Sequence, residues 1–162
     1  MKMAILERNT RNIDNRYWNP GAEAFPVKNR YTAGVAGQRF FEELKENGRL
    51  FGSRCEDCNI TYVPARIYCE RCFNRLADKD WVDVGTEGTI FSFTFVHETK
   101  SGETKESPSL IAAIKIADSL LIHRLGETDE DSLQIGIRVK AKLKPQAKRK
   151  GGIEDIDYFK PL

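Results

Sequence analysis

Four cysteines in two close pairs limit more than any other feature how this chain can fold. The pairs are Cys55–Cys58 and Cys69–Cys72, each with two residues between its thiols, and ten residues separate the pairs. Each short spacing places two thiolates on one tight loop, and two such loops supply the four tetrahedral ligands of a structural zinc site. A thioredoxin-like redox site needs only one pair, at the start of a helix. The spacing therefore favours one zinc ion per chain, bound by all four cysteines, over a redox site.

This use of the cysteines limits the chemistry of the chain. A metal with four thiolate ligands has no open position for water or substrate, so the zinc is predicted to be structural. No thiol remains as a nucleophile, and the sequence contains neither a phosphate-binding loop nor a serine-triad signature. His97 and His123 are lone histidines, and His123 has the apolar neighbours of a core or interface residue. We therefore predict no catalytic residue in this chain.

Composition and charge disfavour further classes of protein. The chain has 26 Lys and Arg against 24 Asp and Glu, a formal charge of +2, which is too balanced to indicate a nucleic-acid-binding protein. No apolar run approaches the ~20 residues of a membrane span, and the N-terminal stretch MKMAILERNTRNIDNRYW lacks the apolar core of a secretory signal. The resulting prediction is a cytoplasmic protein that does not contact a membrane. Cytoplasmic thiols stay reduced, which disfavours disulfide bonds between the cysteines.

Sequence patterns divide the chain into three predicted parts. Residues 1–36 are polar and aperiodic and are predicted to form an extended N-terminal arm. Residues 37–80 are predicted to contain a short helix followed by the zinc ribbon, and residues 81–162 a β-barrel. The fold class expected from these parts is mainly β.

A short amphipathic pattern predicts the helix, at residues 37–48. Phe40, Phe41 and Leu44 fall on one apolar stripe, because Leu44 follows the two phenylalanines by four and three residues. Gly48 is a plausible C-terminal stop for this helix. The stripe is expected to pack on the body of the protein or on another subunit.

After residue 80 the hydrophobic period changes to two, which is typical of strands. Five or so short strands without a helix of note favour a small OB-like barrel. Phe91, Phe93 and Phe95 share one face of a predicted strand and are expected to lie in the barrel core. The strand patterns cover residues 81–84, 89–96, 110–117, 120–125 and 137–144.

Several short motifs occur in an order that is more specific than the cysteine spacing alone. They are FFEEL, GRL, CEDC, PAR, CERC, GTEGTIFSFTFVH, SLLIHRL, IGIRV and the terminal YFKP. In these pieces the chain resembles, over roughly residues 31–162, the two-domain family of zinc-ribbon/OB-fold proteins associated with acyl-CoA thiolases and related condensing enzymes. The family fold is an N-terminal helix, a rubredoxin-like zinc ribbon and a C-terminal OB-fold barrel.

The resemblance implies a function that composition does not. It implies a subunit that is not catalytic alone but is required by a β-ketothiolase complex. In such a complex it would brace a thiolase-fold catalytic subunit and help to form its acyl-CoA site. The implied ligands are a structural zinc ion and a shared coenzyme A thioester. The long arm before residue 31 is more like degradative members, which act on aromatic or other bulky acyl-CoAs such as benzoylsuccinyl-CoA.

Basic and aromatic residues are the candidate CoA contacts. Seven basic residues and no acidic one lie between Arg138 and Lys150, and such a local field attracts phosphate even near zero net charge. The adenine could stack on Tyr62, Tyr68 or Phe73 beside the knuckles. A solvated strand face carries alternating lysines as well, so both interpretations stay open. The predicted contacts are Arg66, Tyr68, Phe73, Arg138 and Lys140.

The alternative function is binding of single-stranded nucleic acid, because zinc ribbons and OB barrels both serve that role. A nucleic-acid face of an OB barrel combines exposed aromatic side chains with a basic groove. The balanced charge and the phenylalanines predicted to be buried disfavour this alternative. Nucleic acid is therefore not an expected partner.

Overall fold

The computed structural model describes five stretches of the chain, and most of the predicted N-terminal arm lies outside them. Within the arm, the short strands β1 (Tyr17–Trp18) and β2 (Asn29–Arg30) pair antiparallel. None of the described helices has the length and apolarity needed to span a membrane. The described residues are 17–18, 29–30, 33–98, 104–128 and 130–162.

The predicted helix is confirmed as α1 (Gly34–Glu46). Its apolar stripe faces inward: Phe40 and Leu44 are fully buried, and Phe41 packs partly buried against the same core. Gly48 adopts the left-handed conformation, with φ of +64°, just past the helix end. A side chain is disfavoured in that conformation, which explains why the helix stops at a glycine.

The ribbon is a three-stranded antiparallel sheet of β3 (Phe51–Cys55), β4 (Ile60–Tyr62) and β5 (Trp81–Asp83). The central strand is β3, which pairs with β4 on one side and with β5 on the other. Sequence periodicity grouped β5 with the barrel, whereas its described hydrogen bonds join it to the ribbon sheet. The domain boundary at residue 80 stays a prediction.

The barrel consists of strands β6 (Glu87–Glu98), β7 (Thr104–Ile116), β8 (Ser119–Arg124), β9 (Arg138–Leu143) and β10 (Ile156–Pro161). They form one five-stranded antiparallel sheet in the order β10-β9-β6-β7-β8, which confirms the predicted OB-fold. A bridge between Leu125 and Phe159 brings the end of β8 to β10 and helps to close it. Gly88 lies so close to β7 that a Cβ there would be 2.7 Å from the Lys115 carbonyl oxygen.

Helix, ribbon and barrel share one apolar core. The main cluster joins side chains of α1 and of the segments around β3 and β4 to the interior of the barrel. Burial of apolar surface is the main favourable term in folding, so this shared packing is the main contribution that holds the barrel against the helix. The fully buried members of this cluster include Phe40, Leu44, Leu50, Ile114, Val139, Ile156 and Phe159.

One phenylalanine of the predicted core is on the outside. The register between β6 and β7 shifts between Ile90 and Ser92, so Phe91 is the extra residue of a β-bulge. A bulge reverses the inward–outward alternation of a strand. Phe91 is consequently 56% exposed, while Phe93 still packs partly buried against the core. The prediction that Phe91 is buried was wrong for this reason.

An arginine near the end of the chain joins the barrel to the helix. The Arg149 guanidinium donates hydrogen bonds to the carbonyl oxygens of Lys45 at 3.2 Å and Leu44 at 3.5 Å. It also donates to the Lys144 carbonyl oxygen at 2.7 Å. The last carbonyls of a helix have no partner within the helix, and a cation there is favoured by the helix dipole. Arg149 therefore caps the C-terminal end of α1 and links it to the barrel.

Candidate metal centre and the surfaces around it

The two knuckles bring all four cysteine sulfurs together, within 4.8 Å of one another. Cys55 lies at the end of β3 and Cys69 in the second knuckle, and both are buried, whereas Cys58 and Cys72 are half-buried. The Sγ atoms of Cys55 and Cys72 are 3.5 Å apart, well beyond the ~2.05 Å of a disulfide. A tetrahedral site with Zn–S bonds of about 2.3 Å has sulfurs roughly 3.8 Å apart. The four thiols therefore fit one tetrahedral metal ion.

Polar groups around Cys69 favour its thiolate form. The Tyr62 hydroxyl lies 3.2 Å from the Cys69 sulfur, and the backbone N–H of Arg71 donates to it at 3.4 Å. Donation from the backbone N–H of Cys72 and from Tyr62 lowers the pKa of Cys69 to about 6. The hydrogen bond to Cys69, together with burial, raises the pKa of Tyr62 to about 12. Metal ligands of this type bind as thiolates, so the donor set matches a metal centre.

Without a metal ion, the neighbouring thiols shift one another's pKa values in opposite directions. Hydrogen bonding with Cys72 and burial raise the pKa of Cys58 to about 12, whereas that of Cys69 is lowered. Cys69 therefore loses its proton more readily than Cys58. Binding a divalent cation releases the remaining protons, so metal affinity should fall at acidic pH.

A cleft of about 480 Å³ lies beside the metal centre, between β4 and the turn that joins β7 to β8. The turn is fixed to β4 by hydrogen bonds from the backbone N–H of Thr61 to Asp118 (3.0 Å) and from that of Val63 to Ser119 (3.0 Å). Arg66, Arg71 and Lys115 place three cationic side chains on the cleft lining, together with two acidic residues. Sequence reasoning did not find Lys115, because nothing in a strand pattern indicates which loop its outward face will meet.

The five predicted CoA contacts do not line one surface. Arg66 lines this cleft, where its guanidinium covers the Tyr62 ring at 4.9 Å and pairs with Glu70 at 2.6 Å. Arg138 lines a second depression of about 400 Å³, which shares Lys115 with the first. The other three predicted contacts, Tyr68, Phe73 and Lys140, line neither.

Tyr62 is not available as a stacking platform for adenine. It is 3% exposed, and its hydroxyl accepts a hydrogen bond from the backbone N–H of Glu70 at 3.3 Å while it contacts the Cys69 sulfur. Tyr68 and Phe73, by contrast, are exposed.

The basic run on β9 is largely neutralised by acidic residues from other strands and loops. Arg138 and Lys140 pair with Glu87, at 2.6 Å and 3.5 Å. Lys142 and the Tyr158 hydroxyl donate hydrogen bonds to Glu127, which lower the pKa of that carboxyl to about 2. Glu87 and Glu127 are distant in sequence from the run they neutralise. The β9 strand therefore offers a weaker phosphate-binding field than its sequence suggests.

The two histidines occupy different environments. His97 is exposed on β6, whereas His123 on β8 lies edge-to-face with Phe159, with ring centroids 5.8 Å apart. Burial lowers the pKa of His123, which keeps its imidazole neutral at neutral pH.

Comparison with known proteins places these features in a family. The family model for the ChsH2 rubredoxin-like zinc ribbon domain matches residues 43–77 of the sequence, and the family model for the ChsH2 C-terminal OB-fold domain matches residues 81–144. A solved DUF35-family protein of unknown function from Sulfolobus solfataricus is 30% identical, with a TM-score of 0.56, over 67% of this chain and 78% of that one. The chain belongs to the DUF35 family.

Other DUF35 proteins resemble it over most of their length. DUF35 domain-containing scaffold proteins of Methanocaldococcus jannaschii and Methanothermobacter thermautotrophicus are 27% and 25% identical, each over 76% of this chain and over 89% and 94% of their own. A structure described as the Ltp2-ChsH2(DUF35) aldolase matches with a TM-score of 0.55 at 20% identity, over 82% of this chain and 98% of that one. The last likeness shows that the DUF35 fold is shared.

Proposed function

We propose that this chain is a non-catalytic, zinc-containing subunit that braces a thiolase-fold catalytic partner and shares its acyl-CoA site. The observation that carries the proposal is its DUF35 membership, since its relatives are described as scaffold proteins and one DUF35 structure is named together with an aldolase. The enclosed cysteines support it as well. All four thiols of the chain point into one cluster, so none is left as the nucleophile of a thiolase reaction.

Zinc is the metal we propose for that cluster. Tetrahedral sites with four sulfur ligands are typical of zinc or of iron–sulfur centres, and the matched domain is a zinc ribbon. The ligands are Cys55, Cys58, Cys69 and Cys72. When bound, the ion supplies fixed backbone geometry, and with no open coordination position it takes no part in acyl transfer.

A two-component activity assay tests the proposed function. The tagged chain is purified from its host, and a thiolase-fold protein that co-purifies is identified by mass spectrometry and produced alone. We expect cleavage of a 3-oxoacyl-CoA thioester by CoA to fall at least about tenfold when this chain is omitted, and to return when it is added back. The chain alone should give no turnover. A partner that is fully active by itself contradicts the proposal.

Within this function, we propose that the CoA phosphates lie at the cleft beside the metal centre. Arg66 lines it, Lys115 joins it to the second depression, and Arg138 lines that depression. Titration of the two-subunit complex with CoA measures this directly. Arg66→Gln and Lys115→Gln should each weaken binding about tenfold, as expected for one lost hydrogen bond between charged groups. Lys148→Gln is the control. Wild-type affinity for CoA in both test variants would contradict the proposed CoA site, whereas the proposed partnership would stand.

A further inference from the structure

The second knuckle ends in a residue that is poorly suited to its backbone conformation. Phe73 follows Cys72 with φ of +59°, in the left-handed region. The first knuckle ends in the same way, where Asn59 follows Cys58 with φ of +51°. Asn is tolerated there because its short polar side chain bonds locally, and the Asn59 side chain accepts a hydrogen bond from Arg54 at 2.7 Å. A phenylalanine gains no such compensation, so Phe73 is strained.

The Phe73 ring is also poorly placed for stability. It is 76% exposed, the highest exposure among the large apolar side chains of the described residues. Among the residues that the structure describes, Phe73 belongs to no hydrophobic cluster and no aromatic pair. Residues held in strained backbone conformations cluster at functional sites, and the knuckle needs the conformation at position 73 but not the phenylalanine ring. Here both the strain and the exposure concern the same side chain.

Other exposed residues lie beside Phe73 in or next to the second knuckle, and together with it they define a surface that we call the ribbon tip. Ile67 and Tyr68 are 40% and 53% exposed. Tyr68 is bridged to Arg75 across the knuckle. Arg71 and Arg75 flank Phe73 in sequence, are exposed, and have no ion pair among the described residues. The ribbon tip consists of Ile67, Tyr68, Arg71, Phe73 and Arg75.

The backbone beneath the ribbon tip is rigid. The Phe73 N–H donates to the Cys69 carbonyl oxygen, and the Cys69 N–H donates to that of Asn74, both at 3.0 Å. The Asn74 side chain is hydrogen bonded to Asp57 in the first knuckle. An aromatic side chain presented on such a fixed loop loses little conformational freedom on binding.

We propose that the ribbon tip docks into an apolar pocket of the catalytic partner, with Phe73 as the anchor and Arg71 and Arg75 facing carboxylates at the pocket rim. Aromatic residues and arginines dominate the binding energy of protein interfaces. The inference rests on the proposed function and adds to it the surface that meets the partner.

Two other occupants fit the ribbon tip less well. Three exposed acidic residues, Glu56, Asp57 and Glu70, lie in or beside the knuckles, so this surface carries charges of both signs and does not match the uniformly negative backbone of a nucleic acid. A two-fold interface between copies of this chain would place the ribbon tip against itself. Such a contact would need a pocket for the Phe73 ring within the same surface, and neither depression described above is lined by Ile67, Tyr68 or Phe73. A catalytic partner whose pocket has an apolar floor and carboxylates opposite Arg71 and Arg75 fits the ribbon tip better than either.

Substitutions that relieve the strain while removing the ring test the proposal. Phe73→Asn copies the first knuckle, and Phe73→Gly removes the steric conflict altogether. Both variants should melt at or above the wild-type temperature and yet bind the purified thiolase-fold partner at least about thirtyfold more weakly, as expected for a hot spot. Ile122→Thr is the matched control, because Ile122 is 70% exposed on β8. Its affinity should stay within about threefold of wild type.

The outcomes separate this inference from the proposed function. If the wild-type chain binds the partner and Phe73→Asn binds it equally well, the docking surface is wrong and the function stands. If the wild-type chain restores no activity and binds no thiolase-fold protein, both fail. Lower melting temperatures for both Phe73 variants contradict the strain on which the inference depends. Loss of a wild-type dimer, or of salt-sensitive binding to single-stranded DNA, in the variants with partner binding unchanged would assign the ribbon tip to those occupants and overturn it.

Discussion

Replacing Cys69 by serine is expected to abolish stoichiometric zinc binding and unfold the ribbon. Cys69 has no exposed surface, and its sulfur receives hydrogen bonds that stabilise a thiolate. A serine hydroxyl stays protonated and cannot replace that ligand. Structural zinc contributes an apparent ~10–16 kcal/mol to the folding of small zinc domains at neutral pH. Losing one ligand should therefore lower the melting temperature by well over ten degrees, measured by circular dichroism alongside zinc per chain by mass spectrometry.

The control for this substitution keeps all four ligands. Glu56 lies between Cys55 and Cys58 and is exposed. The Glu56→Gln variant should therefore retain one zinc per chain. Removing zinc from the wild-type chain with a chelator should reproduce the Cys69→Ser result, and adding zinc back should reverse it. A Cys69→Ser variant with one zinc per chain and an unchanged melting temperature would refute the four-cysteine site.

Truncating Phe159 to alanine is expected to lower the free energy of unfolding by about 3–5 kcal/mol. Phe159 has no exposed surface. It pairs with Ala141 on β9 and bridges to Leu125 after β8. The substitution therefore opens a cavity where the barrel closes. Urea or guanidinium unfolding measures the change in free energy.

The chain contains a matched control for this prediction. Phe91→Ala removes the same side chain from the outer face of β6, where Phe91 is 56% exposed. Its free energy of unfolding should change by less than about 1 kcal/mol, since substitutions at the surface usually have small effects. Equal losses in the two variants would mean that the core does not extend to the barrel seam.

Local patterns in the sequence were enough to predict most of the architecture. The spacing of Cys55 to Cys72 predicted clustered thiols because chain geometry over so few residues leaves little freedom. Alternating hydrophobicity predicted four of the five barrel strands, with ends that moved by a few residues, but it gave no strand at β10 and placed β5 in the barrel. The strand containing residues 110–117, for example, extends back to Thr104. Strand ends depend on cross-strand hydrogen bonds, which local sequence does not encode.

Features that depend on distant partners were missed. The bulge at Phe91 arises from the register between β6 and β7, so the alternation of phenylalanines gave no sign of it. The basic run after Arg138 looked free because Glu87 and Glu127, which neutralise much of it, are far away in sequence. Lys115 could be recognised as part of a cleft only once the ribbon was packed against the barrel.

The hydrogen bonds from Arg149 to the end of α1 have a mechanical consequence. They join the first helix of the described chain to its last segments, so the strands between them form a loop that is closed without a covalent bond. A pulling force on the residues before α1 is therefore transmitted to the barrel through these hydrogen bonds as well as through the ribbon. A C-terminal truncation that removes Arg149 would therefore loosen α1, although this helix lies more than a hundred residues earlier in the sequence.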